Sequence, residues 1–253
     1  MVLEHFQLAG KTAIVTGCNT GLGQGMALAL AEAGADIVGV NVSEPDETRV
    51  AVEKLGRKFL DLRANLAEVS GIADLVAQAK ALNGEVHILV NNAGIIRRED
   101  AIKFSEADWD DVMDLNLKSV FFLSQAMAKV FLAQGSGGKI INIASMLSFQ
   151  GGVRVPSYTA SKSGVMGITR LMANEWASQG INVNAIAPGY MATNNTAALR
   201  ADEQRNSAIL ERIPAARWGK PEDLAGPVVF LASKASDYVN GYTIAVDGGW
   251  LAR

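Results

Sequence analysis

Seven short apolar runs punctuate this chain: KTAIVTG, ADIVGVNV, KFLDLRANL, VHILVNNAG, KIINIASM, INVNAIAPG and GYTIAVDGG. Most lack the polar/apolar alternation of a strand with one wet face, which indicates strands covered on both faces. The stretches between them are long enough for crossover helices. Together they predict a doubly wound, Rossmann-type α/β fold, with a seven-stranded parallel sheet and helices on both faces. Two of the helical stretches carry their own stop signals, GQGMALALAEAG closing on Gly34 and SGVMGITRLMANEWASQG on Gly180. No linker, repeat or low-complexity tract divides the chain, so residues 1–253 are expected to form a single domain. The stretch 192–218 breaks the rhythm. It is polar and helix-prone between two strands, and it is expected to form a lid over a site at the strand ends.

The composition narrows the function. Hydrophobic residues make up 49 % and charged residues 19 %, with a net charge of −3 and no dense Lys/Arg run, which argues against a nucleic-acid footprint. No uninterrupted apolar stretch approaches the roughly 18 residues of a membrane span. MVLEHFQLAG shows no basic region ahead of an apolar run, so a cytoplasmic protein is expected. The single cysteine, Cys18, excludes an internal disulfide and a cysteine-based zinc cluster. His5 and His87 stand in no metal-spaced motif, so no metal site is expected.

Directly after the first run comes TGCNTGLGQG, with Gly17, Gly21 and Gly23 in the pattern T-G-x-x-x-G-x-G between strand and helix. Glycines let such a turn bend tightly and approach a pyrophosphate, whose charge is stabilised by the amides and dipole of the following helix. By itself the pattern also fits a structural turn. Cys18 within it reads as a small residue filling the loop. At the end of the second strand, where an acidic residue usually meets the adenosine ribose and selects NAD, stands Asn41. An amide bonds a hydroxyl but does not repel a 2′-phosphate, a repulsion that the nearby Glu44 is expected to supply. Neither CNT nor NVSEP offers a cation that would favour NADP. NAD is the expected cofactor, with NADP not excluded.

The stretch SYTASKSG sets Tyr158 and Lys162 four residues apart, and therefore on one face of a helix. A phenol that ionises near pH ~10 is a poor base at neutrality, and moving it towards about 7 needs roughly 4 kcal/mol of differential stabilisation. An adjacent ammonium and the positive charge of an oxidised nicotinamide both act in that direction.

These motifs together resemble the short-chain dehydrogenase/reductase family over essentially the whole chain. The signatures run in order: TGCNTGLG, NNAG at 91–94, Asn116 in MDLNLKS, Ser145 in NIASM, Tyr158 with Lys162, and Pro188–Gly189 followed by Thr193. The resemblance implies an NAD(P)-dependent dehydrogenase or reductase acting on a CH–OH group. Its catalytic residues would be Asn116, Ser145, Tyr158 and Lys162. Tyr158 would exchange a proton with the substrate oxygen and Ser145 would hydrogen-bond that oxygen. Lys162 would also hold the nicotinamide ribose, and Asn116 would anchor a water that continues the proton path. By the same resemblance the cofactor is bound by Gly17, Asn19, Thr20, Gly21, Leu22, Gly23, Asn41, Asn65, Leu66, Asn92, Ala93, Gly94, Tyr158, Lys162, Pro188, Gly189, Met191 and Thr193. Ile186 would share the nicotinamide carboxamide with Thr193. Asn65 stands where many members carry an aspartate against adenine, and its amide both donates and accepts.

Within the family, NNAGIIRREDAIKFSEADWDDVM, INIASMLSFQGGVRVPSYTASKSGVMG, NAIAPGYMATNNT and YVNGYTIAVDGGWLAR look like members that interconvert a 3-deoxy-2,5-diketo acid and its 5-hydroxy form, in the breakdown of pectin-type uronates. A keto/hydroxy sugar acid needs a cation and polar groups near Ser145 and Tyr158. Arg154 lies in the loop between those two, and Arg97 and Arg98 follow the fourth strand. The expected carboxylate partner is Arg154 or Arg98, with Gln150 and Asn194 reaching hydroxyls, against the ordinary alternative of solvated or salt-bridged loop arginines. Two further readings stay open. One is another short-chain reductase, such as a gluconate or glucose dehydrogenase or a 3-oxoacyl-carrier-protein reductase. The other is an NAD(H)-binding sensor without turnover, against which the intact set of Asn116, Ser145, Tyr158 and Lys162 speaks. Trp218 and Trp250 are expected to pack in the core. The resemblance also implies a homotetramer that pairs the helix bearing Tyr158 with its mate and the last strands with each other.

Overall fold

Each of the seven apolar runs forms a strand. The computed structural model describes residues 1–253, with β1 (Thr12–Thr16), β2 (Asp36–Asn41), β3 (Phe59–Arg63), β4 (Ile88–Asn91), β5 (Gly138–Ile143), β6 (Ile181–Pro188) and β7 (Thr243–Val246). They lie in the order β3-β2-β1-β4-β5-β6-β7, every neighbouring pair parallel. The helices are α1 (Gly21–Glu32), α2 (Asp46–Lys54), α3 (Ile72–Ala79), α4 (Glu106–Met113), α5 (Ser119–Gln134), α6 (Pro156–Trp176), α7 (Ala197–Ala201), α8 (Glu203–Arg212) and α9 (Ala225–Ala232).

The missing alternation has a direct cause. Along β1, Ala13 and Val15 enter one core, with Met26 and Leu30 of α1 and Val228 and Leu231 of α9. Ile14 enters the other, with Leu75 of α3, Leu123 and Phe131 of α5 and Met172 of α6. Successive side chains point to opposite faces and both faces are covered, so apolar residues dominate along the strand. The stop signals act as expected. Gly34 follows α1 with φ at +109°, and Gly180 ends the short 3-10 turn after α6 with φ at +77°, conformations in which a side chain is strained. Helix α6 begins at Pro156, whose ring suits a first turn, so Tyr158 and Lys162 both sit near its start.

The strand order reverses between β1 and β4, which opens a crevice at the carboxyl ends of the strands. Side chains of the NNAG stretch hold that opening. Thr16 Oγ1 accepts the Asn92 and Ala93 N–H groups, each at 2.9 Å. Asn92 Nδ2 donates to the carbonyls of Thr16 and Gly17 at 2.9 and 3.0 Å. Asn91 Nδ2 donates to Asn142 Oδ1 of β5 at 2.8 Å, and Asn142 Nδ2 to Thr169 Oγ1 of α6 at 2.9 Å. These amides tie β1, β4, β5 and α6 to one another.

The stretch 192–218 contains a 3-10 turn at Asn194–Thr196 followed by α7 and α8. Ile209 and Ile213 anchor it by packing with Met146 and Trp250. No helix is long and apolar enough to cross a membrane.

Candidate active site

A cavity of about 830 Å³ occupies the crevice, within the size range of small-molecule sites. Of the residues read from the sequence as catalytic, cofactor or substrate contacts, all line it except Asn116 and Ile186. Ile186 is fully buried in the core and its carbonyl accepts the Ala144 N–H at 2.8 Å. It is therefore not available to a carboxamide, and Met191 and Thr193 are the residues of this segment that reach the cavity.

The candidate catalytic residues come from three segments: the end of β5, α6 and the turn between α4 and α5. Ser145 follows β5, and its Oγ accepts the Leu147 N–H at 3.1 Å. Ser148 accepts the Ser145 N–H at 3.3 Å and donates to the Lys162 carbonyl at 2.6 Å, tying the end of β5 to α6. Lys162 is buried. Its Nζ donates to the Ile143 carbonyl at 2.6 Å and lies 5.7 Å from the centre of the Tyr158 ring. Burial lowers the Lys162 ammonium from 10.5 to about 8. Burial pushes the Tyr158 hydroxyl up, while the Ser145 hydroxyl and the positive Arg98 act in the opposite direction. Asn116 sits on a π turn at Asp114–Lys118, between α4 and α5. Its amide bonds the Ile95 backbone both ways at 2.9 Å, accepting from the N–H and donating to the carbonyl, and it contacts Ser161 Oγ at 3.4 Å. The Asn116 side chain thus positions the Ile95 segment that lines the cavity. Isolated π turns of this kind are frequent at functional sites.

At the other end the residues fit a dinucleotide. Gly17 and Gly21 adopt φ of +64° and +59°. A Cβ on Gly23 would run into the Gly17 carbonyl, and Thr20 makes no side-chain cap, leaving the first-turn amides of α1 facing the cavity. Asn41 differs from expectation. It is buried, its Oδ1 accepts the Asn19 N–H at 3.1 Å and its Nδ2 lies 3.6 Å from Cys18 Sγ, so both ends of the amide are engaged inside the protein. Glu44 is paired with Arg63 at 3.5 Å, which offsets the charge expected to repel a 2′-phosphate. Asn65 closes a local turn, accepting from the Ala67 N–H at 3.2 Å and donating to Glu68 at 3.0 Å. Burial raises the Cys18 thiol to about 11, in keeping with a loop-filling residue.

The opposite end is cationic. Arg98, Arg154, Lys162, Arg205 and Arg212 line the cavity and no aspartate or glutamate does. Of the two arginines expected to meet a carboxylate, Arg154 is already engaged, with Asp100 at 3.0 Å and Glu99 at 3.6 Å. Arg97 is likewise paired with Asp111 and Asp108 and does not line the cavity. Arg98 has no carboxylate partner and donates to the Asn195 carbonyl at 3.3 Å. Gln150 and Asn194 line the cavity as expected. Arg205 and Arg212, both on α8, were not singled out by sequence, although the expected lid was the signal that could have found them. Trp250 packs in the core as expected and also lines the cavity, while Trp218 packs on Tyr190 and donates to Asn206 at 2.7 Å.

The family profile described as enoyl-(acyl carrier protein) reductase matches residues 17–251. A 2-dehydro-3-deoxy-D-gluconate 5-dehydrogenase from Escherichia coli K12 is 74 % identical over 253 residues, covering 100 % of each chain. The enzyme of the same name from Dickeya dadantii is 72 % identical, again over 100 % of each chain. A solved structure from Agrobacterium tumefaciens, described as a 2-deoxy-D-gluconate 3-dehydrogenase with bound NADP, is 57 % identical. It superimposes with a TM-score of 0.92 over 98 % of this chain and 99 % of that one.

Proposed function

Since this chain belongs to the short-chain dehydrogenase/reductase family, we propose that it is a 2-dehydro-3-deoxy-D-gluconate 5-dehydrogenase, moving hydride between a nicotinamide cofactor and C5 of that sugar acid. One observation carries the reading: Ser145, Tyr158 and Lys162 open into a single cavity whose other charged lining is entirely arginine. That combination suits an alcohol or ketone borne on an anion, and it argues against a neutral sugar or a long acyl thioester.

Oxidation removes a hydride from C5 and a proton from its hydroxyl. The nicotinamide, when bound, supplies the hydride acceptor in this direction and the donor in reverse. Tyr158 takes the proton as its phenolate, and Arg98 favours that anion electrostatically. Ser145 donates a hydrogen bond to the same oxygen as charge develops on it. Lys162, held by the Ile143 carbonyl, presents its ammonium beside Tyr158 and the ribose side of the cofactor site. Asn116 keeps the Ile95 segment in register and continues the proton path from α6 through a water.

For the cofactor, the site discriminates weakly between NAD, the partner expected from the sequence, and NADP, and its features lean towards NADP. Asn41 carries no charge, Glu44 is offset by Arg63, and the Agrobacterium relative holds NADP. The segment 192–218 acts as the substrate lid. The chain works as a cytoplasmic homotetramer, supported by the free edge of β7 and by exposed Leu171 on α6 and Tyr242 ahead of β7. Its place is the breakdown of uronate-derived keto acids.

The test is a set of kcat/KM values, read from the near-ultraviolet absorbance of the reduced cofactor, for 2-dehydro-3-deoxy-D-gluconate, D-gluconate and a 3-oxoacyl thioester, each with NAD and NADP. The keto acid should lead by roughly a hundredfold or more. A gluconate or thioester that equals it would replace this assignment with one of the other short-chain reductases, and no turnover of any would favour the sensor.

A further inference from the structure

Resting on that reading, we propose that Arg212 binds the substrate carboxylate and is the residue that makes the enzyme select acids. Arg212 is the last residue of α8, and its guanidinium carbon lies 3.9 Å from the centre of the Trp250 ring. The indole beneath it is rigid. Trp250 is 4 % exposed and packs nearly edge-on against Tyr190 at 4.8 Å, which in turn packs on Trp218 at 5.4 Å. Arg212 Nη2 also donates to Gln150 Oε1 at 3.3 Å, a second contact that holds the guanidinium at the cavity.

A guanidinium held over an aromatic ring keeps its N–H edge free as a planar fork, the geometry that carboxylates take bidentately. No acidic side chain uses that fork, because none lines the cavity. The Trp250 indole N–H is itself buried without an acceptor in the protein. Arg212 is exposed at the cavity, and its one side-chain bond, to Gln150, leaves its other guanidinium donors to an anionic ligand.

The competing cations are less suited. Arg154 is held by Asp100 and Glu99. Arg205 has no side chain fixing its guanidinium. Arg98 acts on Tyr158, at the reacting end. In the extended acid the carboxyl carbon is four bonds from C5, about 5 Å away at roughly 1.5 Å per zigzagged bond. In this assignment the two tasks fall to separate residues, Arg98 favouring the Tyr158 phenolate and Arg212 holding the carboxylate. With the carboxylate on Arg212, the end of the lid helix is tied to Gln150 and Trp250, so an acid closes the site and a neutral polyol does not.

The test compares Arg212→Met, Arg212→Lys and Arg154→Ala with the unaltered enzyme on 2-dehydro-3-deoxy-D-gluconate and on its methyl ester. Arg212→Met should raise KM for the acid by roughly 10- to 100-fold with kcat changed less than about threefold, and leave KM for the ester unchanged. Arg212→Lys should recover part of the loss, and Arg154→Ala should have little effect. An unchanged KM for the acid, an equal rise for acid and ester, or a larger effect at Arg154 would overturn the assignment. Turnover of the acid by the unaltered enzyme separates that failure from failure of the functional reading. Without such turnover, the reading falls and the role of Arg212 falls with it.

Discussion

Replacing Lys162 by methionine separates what the residue does for catalysis from what it costs the fold. The residue is 5 % exposed, and burial lowers its ammonium from 10.5 to about 8. At roughly 1.4 kcal/mol per pH unit, the buried charge destabilises the folded protein by about 3 kcal/mol wherever both states are protonated, that is, below pH 8. Methionine has a similar length and needs no desolvation of charge, but the Ile143 carbonyl loses its 2.6 Å donor, a loss of roughly 1–2 kcal/mol. At pH 7 the variant should therefore be more stable by about 1–2 kcal/mol while losing activity by about a hundredfold or more. The sign reverses with pH. Between about 8 and 10.5 the folded lysine is neutral and the unfolded one charged, so the unfolded state binds more protons and the unaltered protein gains stability as pH rises. Above 10.5 the variant should be the less stable by about 1–2 kcal/mol. Urea midpoints of both proteins across this range measure the difference directly, and groups common to the two cancel. A stability difference that stays flat from pH 7 to pH 10.5, or a variant weakened by more than about 2 kcal/mol at pH 7, would refute the reasoning.

Three further outcomes are expected. Gly23→Ala pushes a methyl group into the Gly17 carbonyl, and should lower stability by about 1–3 kcal/mol and abolish cofactor binding as followed by fluorescence titration; unchanged affinity would mean that the turn is not the cofactor cradle. Asn41→Asp keeps an acceptor for the Asn19 N–H and adds a negative charge at the end of β2, so the NAD/NADP ratio of kcat/KM should rise by about tenfold or more. Cys18, buried and raised to about 11, should resist a thiol reagent at pH 7 until the protein is unfolded; rapid native labelling would contradict the packing of the loop.

The sheet was legible because its cause is local. A strand covered on both faces is dominated by apolar residues, and seven largely apolar runs between helical stretches leave little choice of architecture. The placing of Tyr158 beside Lys162 at the cavity was legible for a similar reason, since the two need only one helix to share a face. What escaped depends on contacts between distant segments. Arg154 looks free in its loop, yet the Glu99 N–H bonds the Arg154 carbonyl at 3.1 Å and brings Glu99 and Asp100 against its guanidinium. Asn41 stands at the ribose position, but the glycine turn folds back over it and takes its amide. Arg212 meets Trp250 only because Ile209 and Ile213 seat α8 on the C-terminal segment, and no spacing between the two residues could announce that. The π turn that carries Asn116 is similarly set by its two bonds to Ile95 rather than by any breaker residue.

The central claim is that Tyr158 takes the proton while hydride leaves C5 of the sugar acid. The most direct measurement supplies 2-dehydro-3-deoxy-D-gluconate deuterated at C5, with NAD, to the unaltered enzyme and to Tyr158→Phe, and follows the label by mass spectrometry. Deuterium in the reduced cofactor and a 5-keto product from the unaltered enzyme, with neither from the variant, is the predicted result. Deuterium retained in the sugar while cofactor is reduced, or transfer undiminished in Tyr158→Phe, would contradict it.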